Sequence, residues 1–233
     1  MKTKSGDKTL VHHFVDLLFP RSCSGCENIL LHNENLICTH CTLELPKTNW
    51  HQYPENPARK IFYGRCKTAQ VTSFLHFRKG SLVQNMLHCI KYKGQKDLGE
   101  YMGYLFGLDI KNESWVREVD AIIPIPLHKK KEKLRGYNQS ELLGTGLARA
   151  MEVEIDTDSF IRYKFTESQT MKDRLERQLN LDRAFSCKEF SYKSVLVVDD
   201  VITTGATIES AVNCIVEANP DCQINIASLA IAE

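Results

Sequence analysis

The segment Ser194-Val195-Leu196-Val197-Val198 is an unbroken run of β-branched and apolar residues, and Asp199 and Asp200 end it at once. A run without polar alternation marks a strand buried on both faces, which is the situation in a parallel sheet covered by helices. Thr203-Thr204-Gly205-Ala206-Thr207 follows, and a helical pattern then continues to Ala218. In open α/β sheets, ligands bind beyond the carboxyl ends of the strands. Small residues there let successive backbone N–H groups converge on a phosphate, and a helix N-terminus adds partial positive charge at the same place. Two carboxylates would repel a phosphate, but they suit vicinal hydroxyls, which are donors. The segment as a whole therefore fits a sugar phosphate. It is not the nucleotide P-loop, because Gly-x-x-x-x-Gly-Lys is absent and the loop has no lysine. Any one of these residues alone would read as a helix cap; their order carries the inference.

The rest of the chain supports the same layout. Val71 to Phe77 reads as a strand, and Leu82 to Ile90 as a helix with Leu82, Met86, Leu87 and Ile90 on one face. Asp97 to Leu108 is a second helix with Leu98, Met102, Leu105 and Phe106 inward. Val119 to Pro126 is a short strand that prolines bring to a stop. Tyr137 to Met151 is helical through Leu142, Leu143, Leu147 and Met151, and Gln223 to Ala232 is a last strand. Strands alternating with helices imply a doubly wound α/β sheet.

Composition narrows the function classes. Of 233 residues, 42% are hydrophobic and 25% charged, and the net charge of +1 gives no global field for nucleic acid or membrane. No apolar run approaches the roughly 20 residues that span a bilayer. The basic N-terminus is followed by Leu10 to Pro20, which includes His12, His13 and Asp16, unlike the apolar stretch of a signal peptide. A cytoplasmic protein is expected.

Four of the nine cysteines form two pairs, Cys23-Ser-Gly-Cys26 and Cys38-Thr-His-Cys41, separated by eleven residues. Four thiolates close a tetrahedral zinc shell, so the site is structural and its binding energy folds a segment too short to fold alone. A redox Cys-x-x-Cys is the competing reading, and the presence of two pairs disfavours it. His32 and His40 are nearby alternative ligands. Cys66, Cys89, Cys187, Cys214 and Cys222 read as small buried hydrophobes, and Trp50, His51 and Tyr53 as a packing seam between the cysteine region and the larger domain.

Ile123-Pro124-Ile125-Pro126-Leu127 leads into His128-Lys129-Lys130-Lys131-Glu132-Lys133-Leu134-Arg135, with five basic residues against one acid. On its own this is a solvated basic loop. Directly after a sheet strand it becomes a polyanion clamp, with Arg135 the residue suited to bidentate phosphate contact.

Residues 195–207 resemble the phosphoribosyl-pyrophosphate (PRPP) motif of type I phosphoribosyltransferases, with Asp199 and Asp200 as the acid pair and Thr203, Thr204, Gly205, Ala206 and Thr207 as the 5′-phosphate loop. Pro124-x-Pro126-x-His128, Arg135-Gly136-Tyr137-Asn138-Gln139 and Lys91-Tyr92-Lys93-Gly94 resemble the ComF family of phosphoribosyltransferase-like proteins. So does Thr166-x-x-Gln169-x4-Arg174-x2-Arg177-x2-Asn180-x4-Phe185, and with the cysteine pairs the resemblance covers nearly the whole chain. It implies a type I phosphoribosyltransferase-like parallel sheet flanked by helices (residues 61–233) behind a small zinc ribbon (residues 1–60).

The resemblance further implies PRPP bound with Mg²⁺ and pyrophosphate held by Pro124, Ile125, Pro126 and Arg135. Asp199, Asp200, Arg174 and Arg177 would be catalytic, the arginines closing over the pyrophosphate on a loop; a surface helix with Glu176 pairing locally is the other reading of those arginines. It implies a cytoplasmic step in handling incoming single-stranded DNA, with Lys129, Lys130 and Lys131 as the candidate contacts and the DNA-uptake machinery as partner. A metabolic phosphoribosyltransferase with an unidentified acceptor, or a PRPP sensor without catalysis, are the alternatives. Glutamine-dependent amination is not expected, because no catalytic cysteine follows Met1 and a glutaminase domain has no room.

Overall fold

In a computed structural model of the chain, which describes residues 20–162 and 184–232, the Ser194–Val198 run opens the central strand of a five-stranded parallel sheet. The segment 166–180 with Arg174 and Arg177, and the N-terminal stretch up to Phe19, lie outside the described residues. The sheet runs in the order β1 (Gln70–Phe77), β7 (Gln223–Ala232), β6 (Ser194–Ile202), β2 (Ala121–Pro124), β3 (Glu154–Ile155). Every neighbouring pair in it is parallel. The helices are α1 (Thr39–Leu43), α2 (Pro57–Lys60), α3 (Leu82–Tyr92), α4 (Lys96–Ile110), α5 (Lys129–Arg135), α6 (Gln139–Met151) and α7 (Ala206–Ala218). Two short antiparallel strands, β4 (Phe160–Arg162) and β5 (Phe185–Cys187), form a separate ribbon. This is the helix-flanked parallel α/β fold expected.

The β6 run is buried on both faces, as its lack of alternation predicts. Leu196 and Val198 enter one core with Met86, Met102, Phe106, Leu143 and Leu147 of α3, α4 and α6. Val195 and Val197 enter the other, with Ile208, Val212 and Ile215 of α7. Each of these fully buried side chains contributes about 1.5–3 kcal/mol. α4 and α6 approach unusually closely: a Cβ on Gly103 would fall inside the Leu143 carbonyl, and one on Gly146 inside the backbone of α4. That contact seats α6 against the sheet so that its N-terminus reaches the end of β6.

The cysteine region packs on the α3–α4 face, where Cys23, Leu30, Ile37, Cys41 and Leu45 join the same core as Phe74 and Phe106. Its exit segment covers the open edge of β1: Thr48 N donates to Phe74 O at 3.0 Å, and His76 N to Pro46 O at 2.9 Å. An edge so covered offers no unpaired ladder to another chain. Trp50 stands edge-on to His76 with ring centres 5.3 Å apart, as the expected seam requires, whereas Tyr53 stays 58% exposed.

Several expectations change in detail. The basic stretch is not a loop but the helix α5, capped by the His128 side chain on Lys130 N and ended by Gly136 at φ 80°. The strand before it is shorter than expected, Ala121–Pro124, because Pro126 has no N–H to extend the ladder. Of the five other cysteines, Cys89 and Cys222 are buried, while Cys66, Cys187 and Cys214 are only half-buried.

Candidate functional site

The chain leaves β6 through α7 to β7 on one side, and leaves β2 through α6 to β3 on the other. Neighbouring strands whose connections diverge in this way leave a crevice at their carboxyl ends, the usual ligand site of such sheets. The backbone of the two lips is joined where Ile125 N donates to Val198 O at 2.8 Å. Asn138 fixes the proline lip by donating from Nδ2 to Ile125 O at 3.0 Å, while its Oδ1 caps α6 by accepting from Ser140 N at 3.2 Å. Ser140 Oγ then donates to Asp199 Oδ1 at 3.0 Å. Asp199, Asp200, Pro124, Ile125 and Pro126 are thereby brought together around the N-terminus of α6.

The acid pair is held under electrostatic tension. Burial, with Asp200 beside it, pushes the Asp199 carboxyl up to about 7, against the hydrogen bonds from Asp200 N and Ser140 Oγ and the charge of Lys91. Lys91, in the last turn of α3, places Nζ 2.6 Å from Asp200 Oδ2. That delivers one residue of the Lys-Tyr-x-Gly segment to the acids. Arg162, on β4, is a further cation of this neighbourhood: burial lowers its pKa, the Asp199 charge raises it, and its guanidinium lies 5.0 Å over the Phe185 ring. With Pro124, Pro126, Lys129, Asn138 and Glu141, it lines a cleft of about 240 Å³ beside the proline lip.

Thr203, Thr204, Ala206 and Thr207 are exposed around the buried Gly205. Gly205 takes φ 76°, and a Cβ there would press to 2.9 Å from Ile61 and Phe62. As the N-cap it has no side chain to bond α7, so the cap supplies no acceptor to the first-turn N–H groups. Sequence reasoning missed the brace of this loop. Arg65 donates from Nη1 to Thr204 O at 2.8 Å and from Nε to Glu209 Oε2 at 2.9 Å. Only the fold pairs residues 144 positions apart, and no local pattern around Arg65 signals the contact.

The basic residues lie farther out. Lys129, Lys130 and Lys131 are exposed along α5, and Arg135 turns onto the Tyr92 ring at 5.2 Å, with Nη1 on Gln139 Oε1. Tyr92 is 68% exposed, so α5 and the end of α3 present cations and an open aromatic face together.

The four paired cysteines converge, with their sulfurs all within 4.8 Å of one another. Cys26 and Cys38 sulfurs are 3.8 Å apart, and a tetrahedron of ~2.3 Å Zn–S bonds has an edge of about 3.8 Å. Gly25 N and Cys38 N point at Cys23 Sγ at 3.4 and 3.2 Å, and Cys41 N points at Cys38 Sγ at 3.4 Å. Backbone donors on sulfur favour the thiolate that a metal needs. Glu34 closes the loop between the pairs by accepting from Leu31 N at 2.9 Å and Thr39 N at 2.6 Å. The donor set fits zinc, and neither His32 nor His40 belongs to the cluster.

Fold and clusters together define a parallel α/β protein with a crevice at a strand switch point and a four-cysteine cluster whose geometry suits a metal. No family model matches the chain. It is 33% identical to competence protein ComFC of Bacillus subtilis over 237 residues, spanning 94% of this chain and 95% of that protein. It is 38% identical over 109 residues to competence protein F of Haemophilus influenzae, spanning 45% of this chain and 48% of the relative. Against DNA utilization protein YhgH of Escherichia coli K12 it is 27% identical over 127 residues, with 53% and 56% spanned. The chain thus spans about half the length of these last two, and nearly all of the Bacillus protein. It belongs to the ComF family.

Among the described residues, no helix is long and apolar enough to cross a membrane.

Proposed function

We propose that the chain binds PRPP with Mg²⁺ in the crevice between β6 and β2, and that it serves a step in handling single-stranded DNA during natural transformation. The observation that carries the ligand reading is the convergence at one switch point of an acid pair, a glycine-led helix N-terminus and a proline lip. In this reading Asp199 and Asp200 accept from the ribose hydroxyls. Thr203 to Thr207 and the first turn of α7 hold the 5′-phosphate. Pyrophosphate lies toward Pro124, Ile125 and Pro126, within reach of Arg162, and Mg²⁺ balances its charge.

If a nucleophile displaces pyrophosphate at C1, stabilisation of the leaving charge is the main catalytic contribution available. Arg174 and Arg177 are assigned to that role and Arg135 to pyrophosphate by resemblance. The ribbon region 1–60 is assigned as accessory to a ligand-binding domain 61–233.

Titration calorimetry with Mg-PRPP tests the site. Binding is expected in the native chain and is expected to vanish in Asp199→Asn/Asp200→Asn; unchanged affinity in that variant would sink the assignment. Pyrophosphate release across candidate acceptors, DNA among them, then separates an enzyme from a sensor.

The DNA reading draws support from the names of the relatives, which are competence and DNA utilization proteins. It also draws on the exposed cations of α5 beside the open Tyr92 ring, since charge with a stacking face suits single strands. Affinity for an oligonucleotide should fall steeply with salt, and Lys129/Lys130/Lys131→Ala should flatten the log–log slope by about two, at ~0.7 per phosphate contact. A slope unchanged by the triple substitution removes those lysines from the interface.

A further inference from the structure

Helix α3 touches both the cysteine knuckle and the acid pair. On the knuckle side, Asn85 Nδ2 donates to Gly25 O at 2.7 Å, and Leu82 lies 3.5 Å from the place a Gly25 Cβ would occupy. Cys89 Sγ approaches Ser24 O at 4.0 Å. Just past the helix, Gln95 Oε1 accepts from Ser24 Oγ at 2.5 Å, and Lys93 Nζ faces Glu27 at 3.8 Å. Ser24, Gly25 and Glu27 are the residues within and beside the first Cys-x-x-Cys, so five contacts bind α3 and its exit to the loop whose shape a bound metal sets.

On the crevice side the same helix carries Lys91 to Asp200 at 2.6 Å. Tyr137, just before α6, donates its hydroxyl to Ile90 O. Lys96 Nζ lies 5.1 Å over the Tyr137 ring, and Arg135 packs on Tyr92. α3 is therefore seated between a metal knuckle and the wall of the crevice, with its one cation on the acid pair.

We infer that the four-cysteine knuckle positions Lys91, and through it Asp200, so that the metal-bound ribbon sets the affinity of the crevice for its phosphorylated sugar. Lys91 is a positioning residue. It holds Asp200 in one rotamer and balances a carboxylate that stands beside another, which in a partly buried site costs free energy if left unbalanced. When the knuckle loosens, Asn85 and Gln95 lose their partners, the last turn of α3 shifts, and Lys91 leaves Asp200. Coupling of this kind is reciprocal: whatever factor the metal adds to sugar-phosphate affinity, the sugar phosphate adds to metal affinity. The ligand half of this inference rests on the PRPP reading; the mechanical half, knuckle to α3 to Asp200, does not.

The test uses Asn85→Ala/Gln95→Ala, which alters neither a cysteine nor a crevice residue. Amide hydrogen exchange on the full-length zinc-loaded chain is expected to speed up in 82–92 and at 199–201 and to stay unchanged in α7. Faster exchange everywhere, or nowhere outside 82–92, would overturn the inference. With Mg-PRPP as the probe, the double variant should bind about tenfold more weakly, within the 5–150-fold usual for coupled sites. In a Lys91→Met background it should add almost nothing, because the path it breaks is already cut. Additive losses would mean that the knuckle acts by another route. Zinc affinity, measured by chelator competition, should rise by the same factor on adding Mg-PRPP. If the native chain binds no PRPP, the proposed function fails, while the exchange result still decides whether the knuckle controls Asp200.

Discussion

The crevice and the cysteine ribbon are held together by opposite means. The crevice is the end of a sheet: Asp199 and Asp200 follow a strand whose residues are buried on both faces, and α6 and the proline lip are tied to it by the Asn138 and Ser140 hydrogen bonds. Its shape is a by-product of the main core and needs no ligand to exist. The ribbon has few buried apolar side chains of its own, and Ile29, Leu31 and Leu43 stand 68%, 66% and 79% exposed. Its loops are organised around four sulfurs and the Glu34 carboxylate instead. A site supported by a sheet is preformed and can afford mutually repelling acids. A site supported by an ion is expected to need that ion to fold.

Cys38→Ser breaks the comparison at its weaker end and should have the largest effect. Structural zinc is worth on the order of 10–16 kcal/mol in small peptides at neutral pH, and losing one thiolate forfeits a large part of that. Metal content should drop from one zinc per chain to none, and amides in 22–45 should lose protection. Residues 194–198 and 223–232 should keep theirs, while 82–92 and 199–201 should loosen through the Lys91–Asp200 contact. A metal-free protein with an intact ribbon would contradict the zinc assignment, and collapse of the sheet as well would show that the two regions are not separately held.

Gly205→Ala strikes the stronger end. The substitution forces a Cβ into the left-handed region and against Phe62, each a cost of about 1–3 kcal/mol. Global stability by urea titration should fall by that order, with zinc retained. Mg-PRPP binding should weaken too, since the first turn of α7 must shift. Retention of full stability would mean that Phe62 moves aside freely, and the loop would then not be preformed.

Much of this division was visible in the amino-acid order. The unalternating run Ser194–Val198 reads as a strand covered on two sides and Gln223–Ala232 as a last strand, and two cysteine pairs at x2 spacing favour a four-thiolate site over a redox pair. The short elements were not visible. β3, β4 and β5 are two or three residues long, less than the period that would reveal them. α5 has a single apolar residue, the exposed Leu134, and so no apolar stripe, although Gly136 just past its end is a stop signal. The glycines at 103 and 146 read as helix weakeners from sequence alone and prove to be the contact between α4 and α6. Arg65 lies beyond local reasoning, and Lys91 is picked out by the Lys-Tyr-x-Gly resemblance but not its partner, because the partners of both are chosen by the sheet order.

The smallest effect is also the sharpest measure of how far the crevice is preformed. An Asp carboxyl has an ordinary value near 3.8, and burial beside Asp200 raises that of Asp199 to about 7. The folded chain therefore holds a proton that the unfolded chain releases. Stability from this group is fully present below about pH 4 and is lost as pH rises through 7. Binding has the opposite slope, because accepting from ribose hydroxyls requires the ionised form. Mg-PRPP affinity should then rise about tenfold from pH 6 to pH 8 and level off, with proton release on binding near pH 6. Calorimetry in two buffers of different ionisation enthalpy reads that release directly. Asp199→Asn should remove the slope in stability and raise Tm at pH 8, by about 2–4 °C for each kcal/mol relieved. A flat affinity profile with the slope in stability still present would mean that Asp199 binds its ligand as the neutral acid, donating rather than accepting. A stability that does not change with pH would mean that the crevice is open enough to water to leave its acids unstrained.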